Sequence, residues 1–174
     1  METKPVSHIV KGVIISLVLI ILGLVLYFTN QMQNKALGWL SPAIVLIGAL
    51  YASMSYAKDR NGNVTFGNAF AHGFKTTAVV IVIMAVWTFI SMKFIFPDMV
   101  DKSIESARAE LEKQGKLSEE QIDQAMQIGK KFATVGALAG TIFIFGIIGA
   151  IGSVIGAAIA KKNPEQQNPF GQQI

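Results

Sequence analysis

The residues equipped for acid–base or metal chemistry are few and scattered. His8 and His72 are the only histidines among 174 residues, and there is no cysteine. A helix-borne zinc pair needs a second histidine about four residues away, and neither histidine has one. Without cysteine there are no disulfides, thiolate metal sites or cysteine nucleophiles. The carboxylates concentrate between positions 98 and 131, interleaved with Lys and Arg. That is the pattern of a solvated helix face, not of a general acid/base pair. No G-x-S-x-G, P-loop or H-E-x-x-H occurs. The chain is therefore expected to be non-catalytic, with no cofactor and no metal.

One stretch has residue types and spacing that stand apart, namely positions 61–75, NGNVTFGNAFAHGFK. It opens on the turn dipeptide Asn61-Gly62. Thr65 is placed to cap a helix whose Phe66, Phe70 and Phe74 share one face at four-residue spacing. Gly67 and Gly73 would give the backbone room against neighbouring helices, and Lys75 closes the stretch before an uncharged run. The expectation is a short helix lying along the membrane interface and bending into a span near Gly73. Its phenylalanine face is read first as an anchor among acyl chains, and second as a docking face for another protein's helix.

What must position that stretch is a set of apolar helices. Only 15% of residues are charged while 52% are hydrophobic, against roughly 25% charged in a soluble domain. The apolar residues gather into blocks at about 12–28, 39–56, 76–96 and 132–160, each flanked by charge. About 20 helical residues cross a hydrocarbon core of ~30 Å, so each block is long enough for a transmembrane helix. The net charge of +4 does not indicate nucleic acid, because the basic residues sit mainly beside the blocks, where membrane-flanking residues belong. The first block follows Lys4 and Lys11, but Tyr27-Phe28-Thr29-Asn30 offers no small-residue cleavage site. It is read as a retained span.

Between the third and fourth blocks lies a polar helical hairpin, about 98–131. Val100, Ile104, Ala107 and Leu111 share one face, and Asp98/Lys102 and Arg108/Glu112 stand four apart on the polar side. Gly115 is a C-terminal stop, and Ser118-Glu-Glu-Gln121 is a capping box for a helix that runs on into the fourth span. The tail 163–174 is rich in Pro, Gln and Asn and is read as disordered. Residues 1–162 would form one four-helix transmembrane domain. An even number of spans puts both termini on one side. The basic residues Lys4 and Lys11 around the first span favour the cytoplasm, leaving the hairpin outside.

The span interiors contain no Asp, Glu, Arg or His, and Lys93 lies near an end, which speaks against ion-coupled transport. Gly136-xxx-Gly140 and Gly152-xxx-Gly156 let helices approach closely. They are read as packing within the bundle ahead of dimerisation.

The Thr65-Phe66-Gly67-x-Ala69-Phe70-x-x-Gly73-Phe74-Lys75 stretch before the third span, and the charged Ser118–Ile122 helix before the fourth, resemble the bacterial membrane proteins grouped as domain of unknown function 4199. The resemblance covers nearly the whole chain. It implies a bacterial inner membrane protein and no established activity, so it brings no catalytic residues. The fold class expected is all-α, a four-span bundle with an extramembrane helical hairpin. The expected role is binding a protein partner or organising the lipid bilayer around it, with self-association as a further possibility. The alternative is a small transporter or channel working as a homo-oligomer.

Overall fold

The computed structural model describes residues 6–160. Lys4, Lys161, Lys162 and the tail 163–174 lie outside the described residues. Six α-helices follow in order: α1 (His8–Phe28), α2 (Lys35–Gly38), α3 (Leu40–Lys58), α4 (Phe66–Ile90), α5 (Asp98–Gln114) and α6 (Glu119–Ile159). A π-helical segment, Ser91–Ile95, extends α4. No strand occurs among the described residues.

Four of these helices are long and apolar enough to cross a membrane: α1, α2 with α3, α4 with its π segment, and α6. Their apolar stretches are at most 33% buried within the bundle. Ile14, Ile47, Val82 and Phe143 all point outward. A water-soluble fold would not expose so large an apolar surface, whereas lipid makes it the ordinary outside of a bundle.

Beside one cluster of Leu19, Val45, Val80 and Phe145, the inside is made of small residues. Ser16, Ser53, Thr76, Thr77 and Ser153 are fully or almost fully buried, beside Ala49, Ala52, Ala69 and Ala157. Their hydroxyls are satisfied locally. Ser16 and Ser153 donate to the carbonyls of Gly12 and Gly149 at 2.8 and 2.7 Å, and Ser53 donates across to the Ser153 carbonyl at 3.3 Å. Where glycine stands, backbones touch. A Cβ on Gly152 would lie 2.5 Å from the Leu46 carbonyl oxygen, and one on Gly156 would meet the carbonyl of Leu50. This is association by close van der Waals approach, the kind available where no hydrophobic force separates helix from lipid. Two of the four expected packing glycines do not take part. Gly136 and Gly140 have nothing within 4 Å of an added Cβ, so no neighbouring helix closes on them.

α6 is 41 residues long, about 60 Å at 1.5 Å per residue, twice a ~30 Å hydrocarbon core. Its first turns start from a capping box. The Ser118 hydroxyl accepts from the Gln121 N–H at 3.3 Å, and the Gln121 side chain accepts from the Ser118 N–H at 3.0 Å. α5 ends at Gly115, which takes the left-handed conformation (φ 62°) that glycine adopts without a Cβ penalty. α5 then lies along the start of α6, with Ile122 buried and the Ile104 side chain against Gly129. Ala107, expected on the inner face, is exposed.

Candidate functional site

The stretch 65–75 is the opening of α4. Thr65 caps it as its hydroxyl accepts the Asn68 N–H at 3.2 Å. The rings of Phe66, Phe70 and Phe74 stack in sequence, with centroids 6.4 and 5.8 Å apart. Phe66 and Phe74 are 45% and 40% exposed. Phe70 packs on a cluster of Ala57, Val64, Ala69, Ala157 and Ala160. The stretch is continuous with the span it was expected to bend into: α4 runs unbroken from Phe66 to Ile90, and Ala69, Gly73 and Thr76 are buried in the bundle, so the stretch forms the first turns of the helix that carries the third span. The reason is packing: one side of this helix carries Ala69, Gly73, Thr76 and Thr77, small enough for α3 and α6 to close on it. Gly73 sits in the tightest place. A Cβ there would collide with the Ser53 hydroxyl and lie 2.9 Å from the Ala49 carbonyl oxygen. Gly67 makes no such approach; only Thr65 Oγ1, at 3.9 Å, is near. Lys75 is exposed.

Two consequences can be measured. Thr65→Ala should cost about 0.5–2 kcal/mol and fray only the first turn. Phe66, Phe70 and Phe74 all changed to Ser should cost more, because the half-buried Phe70 loses apolar contact worth about 1–3 kcal/mol. Hydrogen exchange along 65–75 separates the two. Equal protection loss in both variants would show that the aromatic face contributes nothing.

Beside this stretch the structure assembles a polar cluster that the sequence pattern does not announce. His8 and His72 meet edge to face, ring centroids 5.7 Å apart. His72 also stacks on Tyr56 at 4.4 Å, and Arg60 lies over that ring, 4.7 Å from its centroid. Lys11 is only 7% exposed. It donates to Ser55 Oγ at 2.6 Å and stands 4.0 Å from Asp59. Lys11 flanks the first apolar block in sequence but is thus not exposed there. Its stem is covered by the bundle, and its charge meets the end of α3. His72 Nε2 is buried and has no hydrogen-bond partner among the described residues. One signal could have brought the histidines together. The first and third spans start from the same side, and each histidine precedes its apolar run by the same interval, His8 before Gly12 and His72 before Thr76. No group of three or more His, Cys, Asp or Glu side chains among the described residues could hold a metal.

Residues 11–162 match the family described as protein of unknown function DUF4199. The chain belongs to that family. No curated protein and no solved structure matches it. In this DUF4199 member the matched segment holds most of α1 and all of α2 to α6, while His8 falls outside it.

The opposite end of this DUF4199 protein carries the hairpin and a second polar network. Tyr27, near the end of α1, donates to Asp98 at 3.0 Å and stacks on Phe96 at 3.7 Å. Lys35 in α2 reaches both carboxylate oxygens of Glu110 at 2.9 Å. Arg108 bridges Glu112 in its own helix and Asp123 in α6, and Lys130 pairs with Asp101. Lys102 and Tyr27 hold the Asp98 carboxyl below its ordinary range, and Lys35 does the same for Glu110. A carboxylate lowered in the folded state adds stability above its unfolded pKa and loses it as pH falls through the folded value. Hydrogen-exchange protection of α5 should therefore be steady from neutral pH down to the ordinary carboxylate range and weaken only below it. These pairs are exposed, so each contributes little. Weakening already at pH 6–7 would mean that other groups hold the hairpin.

Proposed function

We propose that the protein is a non-catalytic component of a bacterial inner (cytoplasmic) membrane that binds a protein partner or organises the surrounding bilayer. Both termini are cytoplasmic in this reading, and the α5–α6 hairpin stands outside. The observation that carries it is the closure of the bundle at the Lys11 end. There α3, α4 and α6 meet backbone to backbone at Gly73, Gly152 and Gly156, which leaves no width for a solute between them. The surfaces available for docking are the hairpin, where Ile128 is 61% exposed, and the Phe66/Phe74 edge. Five hairpin carboxylates, Asp98, Asp101, Glu110, Glu112 and Asp123, are engaged by Lys and Arg, which supports a binding surface over acid–base catalysis. One observation favours a second reading, a small transporter. Lys11 is an ionisable group buried at the end of a span and facing Asp59, and such groups often mark ion paths. Purification in mild detergent with cross-linking and mass spectrometry decides between them. A stoichiometric second protein supports the binding reading, whereas a homo-oligomer enclosing a water-wide path would replace it with the transporter.

A further inference from the structure

At the hairpin end the helices do not close. A cavity of about 290 Å³ lies between α1, α3, the end of α4 and the two hairpin helices. Its wall includes Met32, Met84, Met92, Met99, Trp87 and Leu19. Four of the chain's seven methionines thus converge on one space, from α4 with its π segment, α5 and a connector. Unbranched thioether side chains adapt to a flexible apolar occupant better than branched ones do. The π segment begins here, placing both Ser91 and Met92 on the cavity wall. A one-turn widening of this kind often accompanies a functional site. The Ser91 hydroxyl is spent on the Thr88 carbonyl at 3.1 Å, and Ser41, Thr88 and Ser103 are the other aliphatic hydroxyls on a wall that is otherwise mainly apolar.

A second cavity of about 160 Å³ shares Tyr27, Met32, Met99 and Ser103 with the first and adds Asn30, Gln33 and Lys102. One space therefore has an apolar end within the span and a polar end at the connector, where the bundle meets the membrane surface. We infer that it binds a single-chain lipid drawn from the surrounding bilayer, the hydrocarbon chain among the methionines and an uncharged hydrogen-bonding head at Asn30 and Gln33. The size argues for one chain, since the chamber is at the lower limit of ligand pockets, which run from about 300 to 1,000 Å³. The head is uncharged because the charge at the mouth is already balanced: Lys102 is bonded to Asp98 at 2.7 Å. An anionic head would face the Asp98 carboxylate, and a cationic one would face Lys102. The site takes Met99, Lys102 and Ser103 from the hairpin helix α5, but Ile128 and the Phe66/Phe74 edge are not in its wall, so its failure would leave docking at those residues untouched.

The test uses the full chain in nanodiscs of diacyl phosphatidylcholine and a monoacylglycerol carrying a photoreactive group in mid-chain. Cross-links should fall on Met84, Trp87, Met92 and Met99, and unlabelled monoacylglycerol should compete. Gly23 and Ala137 line the chamber, and a Cβ on Gly23 would meet nothing within 4 Å. Gly23→Leu with Ala137→Leu should therefore fill the space the chain would occupy and lower labelling about tenfold or more, by loss of the van der Waals contacts that hold it there. Ser103→Trp, at an exposed position on α5, narrows the mouth independently should the filled variant fail to fold, and should lower labelling in the same direction. Labelling that survives both variants, or that lies on the outward-facing Phe143 and Ile147 instead, overturns the site. Competition by oleate or lysophosphatidylglycerol equal to that of monoacylglycerol overturns the uncharged head.

Discussion

Gly73→Ala should destabilise the bundle by about 1–3 kcal/mol, the usual range for forcing an extra carbon into a filled core, and Gly73→Leu should prevent the folded state from accumulating. The new Cβ meets three groups: the hydroxyls of Ser53 and Ser153, and the Ala49 carbonyl oxygen at 2.9 Å. The hydroxyls can rotate away. The carbonyl cannot, because it is part of α3, so α3 and α4 must part. Their separation also disturbs α6, whose Ser153 carbonyl accepts from Ser53. Gly136→Ala is the matched comparison. Nothing lies within 4 Å of its Cβ, and a helical Gly→Ala change gains about 0.5–1 kcal/mol of backbone entropy. The two substitutions are chemically identical and should have opposite signs. Thermal denaturation in detergent, followed by size-exclusion recovery, measures both. A Gly73→Ala variant as stable as the parent would mean that these three helices do not meet as described.

The second large effect concerns Lys11 and Asp59. The two ends of this pair are not equivalent, because Lys11 is 8% exposed at its side chain and Asp59 is 32% exposed. Asp59→Asn leaves a buried ammonium with Ser55 as its remaining close partner, and should cost about 1–3 kcal/mol, the penalty of an under-satisfied buried polar group. Lys11→Met removes the buried charge and keeps most of the stem, leaving a carboxylate that water can reach. Replacing buried ions with apolar groups of similar volume is often neutral or stabilising, so this variant should be close to the parent. Asp59→Asn made on the Lys11→Met background should then cost little, and the difference between the two backgrounds is the coupling energy. If Lys11→Met is the more damaging change, the charge is stabilising in itself and the cluster is built around it.

Much of this architecture is written in local pattern. Thr65 and Ser118 stand where their helices begin because a side-chain oxygen three residues before an orphan N–H is a purely local device. Gly115 ends α5 for the same kind of reason. The spans are legible because their apolar surface faces lipid and needs no periodic polar side. What stays hidden is which faces meet. Gly73, Gly152 and Gly156 pack, whereas Gly136 and Gly140 do not, although both patterns have the same spacing. The difference is where along the 41-residue α6 the other helices reach it. Lys11 looks like a flank because a lysine beside an apolar run is usually one; only the arrival of Ser55 and Asp59 at the same depth makes it interior. The π segment at Ser91–Ile95 and the methionine-lined chamber are likewise tertiary facts. Met32, Met84, Met92 and Met99 are spread along the chain with no common period.

The central claim is a four-span bundle with both termini on one side and the hairpin on the other. The cysteine-free sequence allows this to be read directly, with single cysteines in place of Lys4, Asn61, Ala109 and Asn168 and an impermeant thiol reagent applied to intact cells. The account predicts labelling at position 109 and at none of the others until the membrane is opened. Labelling at 4, 61 and 168 with 109 protected would contradict the proposed orientation, and labelling divided between 4 and 168 would contradict the four-span bundle itself.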